Sequence, residues 1–557
     1  MAIKYNSKLA TLILQIYEKR TTVMELNTPV AHKYSDVFDY LKEKGFPLYE
    51  YQKVGVSWML NREKSQKTKI RGGLLCDEPG LGKTVQTCAT MYGNQKLKTL
   101  LIVPGAVIHQ WVNTIKAILP NLKIYLHRGS NRAKTLEELY SENFNVAITT
   151  FGTIYKRGRN FLTVLHSMIW DRVVIDEIHY IRNPASKTAK ACHALKATHK
   201  WGLTGTPIQN GIKDLKSLYN FLELPKQFMT NDGLKSVNKF LMKRRTKKMV
   251  EKYNRKLKIP PLFQEIHAIE FTTQEERNFY KKIKDDVTVK YLQLMRNTNI
   301  NIGNKMIEFF ELLLRLRQAS IHPQLVINGF SRKFNTNFQK YNGKSTKLDT
   351  LTNLLKEKTQ KENCLVFCNY REEIDIIKNR LDTEGIMCCK YDGSMSLKER
   401  NQAINSFTDP NSAETLLELN NIYTSNIMRH INSFMPRVLL IQIKAGGVGI
   451  NLQMFSQVFI TSPDWNPSNE IQAIARAHRI GQRRPVTVHR FWLYDQDEEF
   501  STIDQRILGI QTTKRNLMAE YLEDKTLTET GKLDMSKIKS ISLQTKLTQS
   551  NFRDLLS

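Results

Sequence analysis

Two glycines, a lysine and a threonine stand in close order in Asp77-Glu78-Pro79-Gly80-Leu81-Gly82-Lys83-Thr84, and that order suits the binding of a polyphosphate. Gly80 and Gly82 let the backbone turn so that successive N–H groups face one point, and a helix that starts there adds the positive end of its dipole. Lys83 can reach β- and γ-phosphates, and the Thr84 hydroxyl can take a place on Mg²⁺. The strict phosphate-loop pattern has glycine where Asp77 stands, so context must carry the assignment. A second set of groups lies downstream, where the apolar run Val173-Val174-Ile175 passes directly into Asp176-Glu177-Ile178-His179. A strand ending in two acids puts both carboxylates at the edge of a sheet where α/β folds bind ligands. Asp176 can hold Mg²⁺ through its shell, and Glu177 can orient and deprotonate an attacking water. Alone, such a pair reads as a solvated loop start; behind Gly-Lys-Thr it reads as nucleoside triphosphate hydrolysis. A third set is Gln472, Arg476 and Arg479, whose offsets of three and four place them on one helix face. Two guanidiniums there form either a surface ion-pair network or, opposite a nucleotide, a clamp for the transferring phosphoryl group. Gln52, upstream of the glycines, offers an amide able to donate to and accept from an adenine edge.

These groups need a scaffold, and the chain alternates short apolar runs with helical segments in two series. The first series contains Gly72 to Cys76, Thr99 to Val103, Lys123 to Leu126, Val146 to Thr150, Val173 to Ile175 and Trp201 to Thr204. The second contains Leu365 to Cys368, Met387 to Tyr391, Val438 to Ile443, Val458 to Thr461 and Val486 to Phe491. Alternation of this kind predicts parallel sheets covered on both faces, hence two α/β lobes. Between them, residues 226–345 read as helical and basic, with no strand expected. Residues 231–260 carry eleven Lys/Arg against two acids, a pattern shared by a solvated helix face, a nuclear localisation signal and a nucleic-acid contact. An Asn-rich stretch at 411–436 reads as a surface insertion. Residues 1–44 read as a helical extension, and the Lys/Ser/Thr-rich end as a tail or docking segment.

Composition narrows the partner. With 84 Lys+Arg against 53 Asp+Glu the formal net charge is +31, which implies a polyanion, nucleic acid before membrane surface. No apolar run approaches the length that spans a bilayer. The seven cysteines lack paired CxxC spacing and read as buried thiols of a reducing compartment.

The motifs together resemble the Swi/Snf class of superfamily-two ATPases, helicase-related translocases of double-stranded DNA. The resemblance covers roughly residues 45 to 525 and rests on DEPGLGKT (77–84), LIVPGAVIHQW (101–111), VAITTF (146–151), WDRVVIDEIHYIRN (170–183) and LTGTPIQN (203–210). It continues through RRTK (244–247), LRLRQASIHP (314–323), LVFCNY (365–370), KAGGVGINLQ (444–453), DWNP (464–467) and QAIARAHRIGQ (472–482), in the family's order. It implies ATP and Mg²⁺ as cofactors and two RecA-like lobes with a helical, basic region between them. The implied division is an extension at 1–44, a first lobe at 45–225, helical protrusions and linker at 226–345, a second lobe at 346–510 and a brace and tail at 511–557. By the same resemblance Gln52 matches the adenine-reading residue, and Gly80, Gly82, Lys83 and Thr84 the phosphate and Mg²⁺ loop. Asp176 and Glu177 match the Mg²⁺ acid and water activator, and Arg476 and Arg479 the second-lobe arginines. Trp111, Thr149, Thr150, Lys444, Gly446, Gly447 and Trp465 fall in motifs tied to DNA contact or coupling. Pro79 and Ile178 depart from the family's usual Met and its usual Ala or Gly.

The implied activity is ATP-driven movement along duplex DNA that displaces or remodels bound proteins, nucleosomes among them, without strand separation. A strand-separating DNA or RNA helicase and a catalytically silent DNA-binding scaffold are the competing readings. A monomeric motor is implied, working in the nucleus, or at a cytoplasmic replication site or in a virion if viral. The chain shows no chromodomain, bromodomain or RING pattern.

Overall fold

The computed structural model describes residues 32–522, apart from 67, 96–97, 157, 159–160, 254–258, 297–301, 408–435, 447–449 and 498. Most of the expected N-terminal extension, nearly all of the 411–436 insertion and the tail beyond 522 lie outside the described residues, as does Gly447.

Two parallel sheets organise the chain. The first contains β1 (Arg71–Leu75), β2 (Thr99–Val103), β3 (Ile124–Leu126), β4 (Val146–Thr150), β5 (Trp170–Asp176), β6 (Ala197–Leu203) and β7 (Met242–Lys243), in the order β3-β4-β2-β5-β6-β1-β7. The second contains β8 (Leu262–Glu270), β9 (Cys364–Cys368), β10 (Cys388–Tyr391), β11 (Val438–Gln442), β12 (Gln457–Ile460) and β13 (Val486–Tyr494), in the order β10-β11-β9-β12-β13-β8. Successive strand residues point to opposite faces, so a sheet covered by helices on both sides needs apolar residues at every position. In β2, Leu100 and Ile102 join one buried cluster while Leu101 and Val103 join another across the sheet. In β9, Leu365 and Phe367 face one core and Cys364, Val366 and Cys368 face the other. The chain is therefore α/β, with two such lobes.

The basic region departs from the purely helical expectation. β7 adds to the first sheet beside β1, and β8 is a nine-residue edge strand of the second sheet, paired along its length with β13. Seven of its first eight residues are at least partly exposed in a run that lacks a clean apolar alternation, so neither strand period nor buried run marks it. The helices Gln274–Arg296, Ile302–Ala319 and Pro323–Phe334 then pack around Tyr280, Leu313 and Val326, with Ile503 and Ile507 of the last helix completing that core. That last helix, Ile503–Leu522, begins against the second lobe and ends on the first, where Met518 and Tyr521 enter the first lobe's core and Asn238 Nδ2 donates to Tyr521 O at 3.0 Å. Asp504, at its start, is fully buried and accepts from Lys347 Nζ at 2.6 Å and from the Leu493 N–H at 3.0 Å. A buried carboxylate so surrounded fixes the root of the helix to the second lobe. All seven cysteines are free, six of them buried. No described helix is long and apolar enough to cross a membrane.

Candidate nucleotide site at the seam between the lobes

The phosphate loop leaves β1, and helix Lys83–Gly93 begins at its end. Gly80 and Gly82 take φ of +92° and +78°, which L side chains rarely adopt, so glycine is required at both. Gln52, in helix Glu50–Lys64, lies across the loop: its Nε2 donates to Leu81 O at 3.2 Å, and its Oε1 accepts from the Tyr49 N–H at 3.0 Å. Lys83 Nζ donates to Asp77 O at 2.7 Å, curling over its own loop. Main-chain carbonyls are weaker partners for an ammonium than phosphate oxygens, so these bonds are ones a polyphosphate can replace.

Asp77, the departure from the strict pattern, has a structural role. Its buried carboxylate accepts from Arg245 Nε at 2.8 Å, from Arg245 Nη2 at 2.5 Å and from Gln86 Nε2 at 3.1 Å, while Arg245 also donates to Tyr51 O. Arg244 Nη1 donates to Cys76 O and to Gly205 O, both at 3.1 Å. The two arginines of RRTK thus hold the base of the loop from 168 residues away in sequence. With Arg245 and Asp77 only 2% and 0% exposed, removing one partner strands a buried charge. Arg245→Ala is expected to cost about 3–5 kcal/mol, read as a lowered urea midpoint against the parent chain. The other departures have close neighbours as well. A Cβ added at Gly205 would lie 2.6 Å from Pro79, and one at Gly202 2.4 Å from Ile178 Cδ1, so each bulky residue sits over a glycine.

Asp176 ends β5, and Glu177 follows with φ of +51°, a strained turn that places the two carboxylates together. Trp111 Nε1 donates to Asp176 Oδ2 at 2.8 Å, and the Glu177 N–H donates to Asp176 Oδ1 at 2.9 Å. Burial and the neighbouring charge of Glu177 push Asp176 up to about 6, against the pull of Trp111 and Lys83. Burial would raise Glu177 too, but His179, whose Nδ1 is 3.2 Å away, together with Lys83 and Arg476, draws it below the usual carboxylate range. Adjacent acids held this way suit a hard divalent cation. The nearest partner of the buried Glu177 Oε2 is His179 Nδ1 at 3.2 Å. The oxygen donor set fits Mg²⁺, with Asp176 and the Thr84 hydroxyl as the groups that would hold it.

The second lobe closes over this site. Helix Pro467–Ala477 starts at Asn466, whose side chain caps the Ser468 N–H. It ends at Ala477, so Arg479 does not share the helix face expected for Gln472 and Arg476; it arrives through the following turn. That turn is pinned by Lys247, which donates from Nζ to His478 O at 2.5 Å. As a result Arg479 packs on the phosphate loop: a Cβ added at Gly80 would lie 2.8 Å from Arg479 Cβ. Burial lowers the Arg476 pKa, and the charges of Glu177 and Asp176 oppose that fall. Arg479 Nε is buried with no hydrogen-bond partner. Further pairs stitch the seam: Gln472 Nε2 to Thr206 Oγ1 at 3.4 Å, Asn466 Nδ2 to Gln209 Oε1 at 3.0 Å and Lys514 Nζ to Asn210 Oδ1 at 3.0 Å. Beside the loop the lobes leave a cavity of about 400 Å³, bounded by Glu78, Pro79 and Lys247 on one side and Ile471, Ala475 and His478 on the other.

The remaining candidates scatter. Trp111 and Thr149 are buried and offer no side-chain surface to a duplex; Trp111 reaches the site through Asp176, and Thr149 Oγ1 donates to His127 O at 3.1 Å. Thr150 is half-buried beside Thr153, Lys444 is exposed at the end of the second sheet, Gly446 closes the short helix Ile443–Gly446, and the Trp465 ring lies 6.0 Å from the Arg317 guanidinium. Arg245 and Lys247 lie in the RRTK motif and the dense basic run at 231–260, and His179 in the motif that ends β5, but neither motif nor charge pattern discloses their partners.

A model of the SNF2-related domain matches residues 51–325, and a model of the helicase conserved C-terminal domain matches 346–425 and 418–481. The chain belongs to the Swi/Snf family of helicase-like ATPases. Among its relatives, it is 30% identical over 498 residues to the human SWI/SNF-related matrix-associated actin-dependent regulator of chromatin subfamily A member 1, spanning 84% of this chain and 42% of that protein. It is 27% identical to the Arabidopsis thaliana CHD3-type chromatin-remodeling factor CHR7, over 85% of this chain and 37% of the relative. With the TATA-binding protein-associated factor MOT1 of Saccharomyces cerevisiae the identity is 26%, over 84% of this chain and 27% of the relative. The chain thus spans less than half the length of these three. Among solved structures, the Sulfolobus solfataricus SWI2/SNF2 ATPase core in complex with dsDNA aligns at 24% identity and a TM-score of 0.35, over 89% of this chain and 97% of that one.

Proposed function

We propose that this chain is a DNA-stimulated ATPase that moves along duplex DNA and displaces or remodels proteins bound to it, leaving the strands paired. The observation that carries this reading is the seam itself, where Arg479 of the second lobe packs on Gly80 of the phosphate loop and Gln472 and Asn466 meet Thr206 and Gln209 of the first. Gln52 would face the base and Gly80, Gly82, Lys83 and Thr84 the phosphates. Glu177 would orient the attacking water and take its proton, and the two arginines would meet the charge that develops on the transferring group. Asp176 and Thr84 would hold Mg²⁺, which would neutralise phosphate charge there. Because its groups come from both lobes, hydrolysis is tied to their relative position, and a cycle of opening and closing moves one DNA-binding surface past the other. In this reading residues 45–225 and 346–510 are the motor lobes and 226–345 the basic linker, with 1–44 and 511–557 as flanking segments. Thr150, Lys444, Gly446, Gly447 and Trp465 serve DNA contact or its coupling to the site, and the buried Trp111 and Thr149 serve coupling. The partner is duplex DNA, with nucleosomes or other DNA-bound proteins as the displaced cargo, met by a monomeric motor in the nucleus or, for a viral protein, at a cytoplasmic replication site.

Displacement of a triplex-forming third strand from duplex DNA tests this directly. ATP-dependent release of the third strand with the duplex intact is the expected result, and unwinding of a forked duplex would instead make the protein a strand-separating helicase. Affinity for duplex is expected to show little sequence preference, since backbone contacts position a protein without reading bases. Log affinity should fall linearly with log salt, by about 0.9 per phosphate contacted. Filter binding across a salt series measures that slope; salt-insensitive binding would contradict it.

A further inference from the structure

The second lobe carries a cluster that the nucleotide chemistry does not use. In β8, Glu265 and His267 are two residues apart and so share a face of the sheet. His489 of β13 is the register partner of Glu265 and is fully buried. His489 Nδ1 lies 3.1 Å from His267 Nε2 and 3.1 Å from Glu265 Oε2, and one nitrogen or oxygen from each of the three falls within 4.8 Å of the others.

The tautomer of His489 is fixed from the far side. Gln457 Nε2 donates to the Glu362 carboxylate, which turns Gln457 Oε1 towards His489, whose Nε2 lies 2.8 Å from it. An amide oxygen only accepts, so the His489 proton sits on Nε2 and Nδ1 presents a lone pair. That lone pair faces a carboxylate oxygen and a second imidazole nitrogen. The one proton His267 can place on Nε2 satisfies a single one of these contacts, so the meeting of Nδ1 with Glu265 lacks a donor. The rings are also held rigidly. Phe459 stacks on His489 at 4.4 Å between centroids, and His267 stacks on Phe491 at 4.9 Å. Lys358, the nearby cation, is paired to Glu357 at 3.0 Å.

We propose that Glu265, His267 and His489 form a binding site for a zinc-type divalent transition metal, with Gln457 as the group that orients His489. Ligands at zinc bond lengths in a tetrahedral arrangement lie about 3.3 Å apart, close to the two 3.1 Å separations here. Two imidazoles and one carboxylate favour zinc and its neighbours over Mg²⁺, which takes oxygen ligands. Three protein ligands leave a fourth position for water. The Gln457 amide oxygen behind the imidazole takes the place of the carboxylate, backbone carbonyl or water that sets tautomer and orientation behind metal-bound histidines. A metal here joins β8, the strand that leads from the basic region into the second lobe, to β13 by a link that backbone pairing alone does not provide.

The test uses the full chain, stripped with chelator and then dialysed against Zn²⁺ or Co²⁺. About one Zn²⁺ retained per chain is expected, with a Co²⁺ spectrum of tetrahedral nitrogen and oxygen ligation and no thiolate charge-transfer band. Zn²⁺ should raise the thermal midpoint of the parent chain and leave that of a Glu265→Gln/His267→Ala variant unmoved. Both substituted residues lie on the partly exposed edge strand, so the fold survives, as circular dichroism checks. Gln457→Leu should weaken Zn²⁺ about 10–100-fold. The proposal is overturned by failure to retain metal, by retention that the double variant leaves intact, or by a thiolate band assigning the metal to cysteine. None of these readouts depends on ATP turnover.

Discussion

Replacing Arg479 by alanine is expected to cut DNA-stimulated ATP turnover by about 10³–10⁵, the contribution of an arginine that stabilises charge on the transferring phosphoryl group. The substitution separates function from folding, because the contact with the phosphate loop is made at Cβ, which alanine retains. What is lost is the guanidinium, whose Nε is buried without a hydrogen-bond partner. A buried donor left in that state is costly unless a ligand completes it. Affinity for ATP, set mainly by the first lobe, should change much less. Arg479→Lys should recover little, since a point charge lacks the planar fork that meets two phosphate oxygens. Steady-state phosphate release with saturating duplex measures the effect. Near-native turnover in Arg479→Ala would return this turn to the role of a structural contact between lobes.

Glu177→Gln is expected to bind ATP and fail to hydrolyse it, with turnover lowered by about 10²–10⁴ through loss of a general base. Glutamine has the shape of glutamate and keeps the same strained backbone at +51°, so the turn that brings residue 177 beside Asp176 is not rebuilt. The amide, however, cannot accept a proton from water. Lys83→Ala gives the contrasting phenotype: it removes the cation over the loop, so nucleotide binding and turnover fall together. Fluorescent-nucleotide binding beside phosphate release distinguishes the two. Hydrolysis at the native rate in Glu177→Gln would mean that another group activates the water.

What could be read from the sequence follows from which interactions are local. Strands buried on both faces, such as β2 and β9, announce themselves as unbroken apolar runs, and their alternation with helices gives two α/β lobes before any contact is known. The loop glycines and the acids ending β5 are legible because their chemistry is set within a few residues. β8 is not legible, because as a mostly exposed edge strand it need not alternate apolar and polar side chains. Arg245 holds Asp77 across 168 positions, and Asn466 meets Gln209 across 257; nothing in a local pattern reports such pairs. Trp111 shows the limit of motif reading: the motif marked the residue, but only packing reveals that its indole is buried and donates to Asp176. Arg479 similarly belongs to a helix by spacing and to a turn in the fold, because the helix stops at Ala477.

In the proposed motor one ATP site is shared by two lobes whose position DNA controls. ATP turnover by the parent chain and by Arg479→Ala, each measured with and without duplex DNA, addresses this most directly. Slow turnover without DNA, a large rise with duplex in the parent chain and no comparable rise in the variant are expected. Turnover that is the same with and without duplex, or a rise that survives the loss of Arg479, would contradict this.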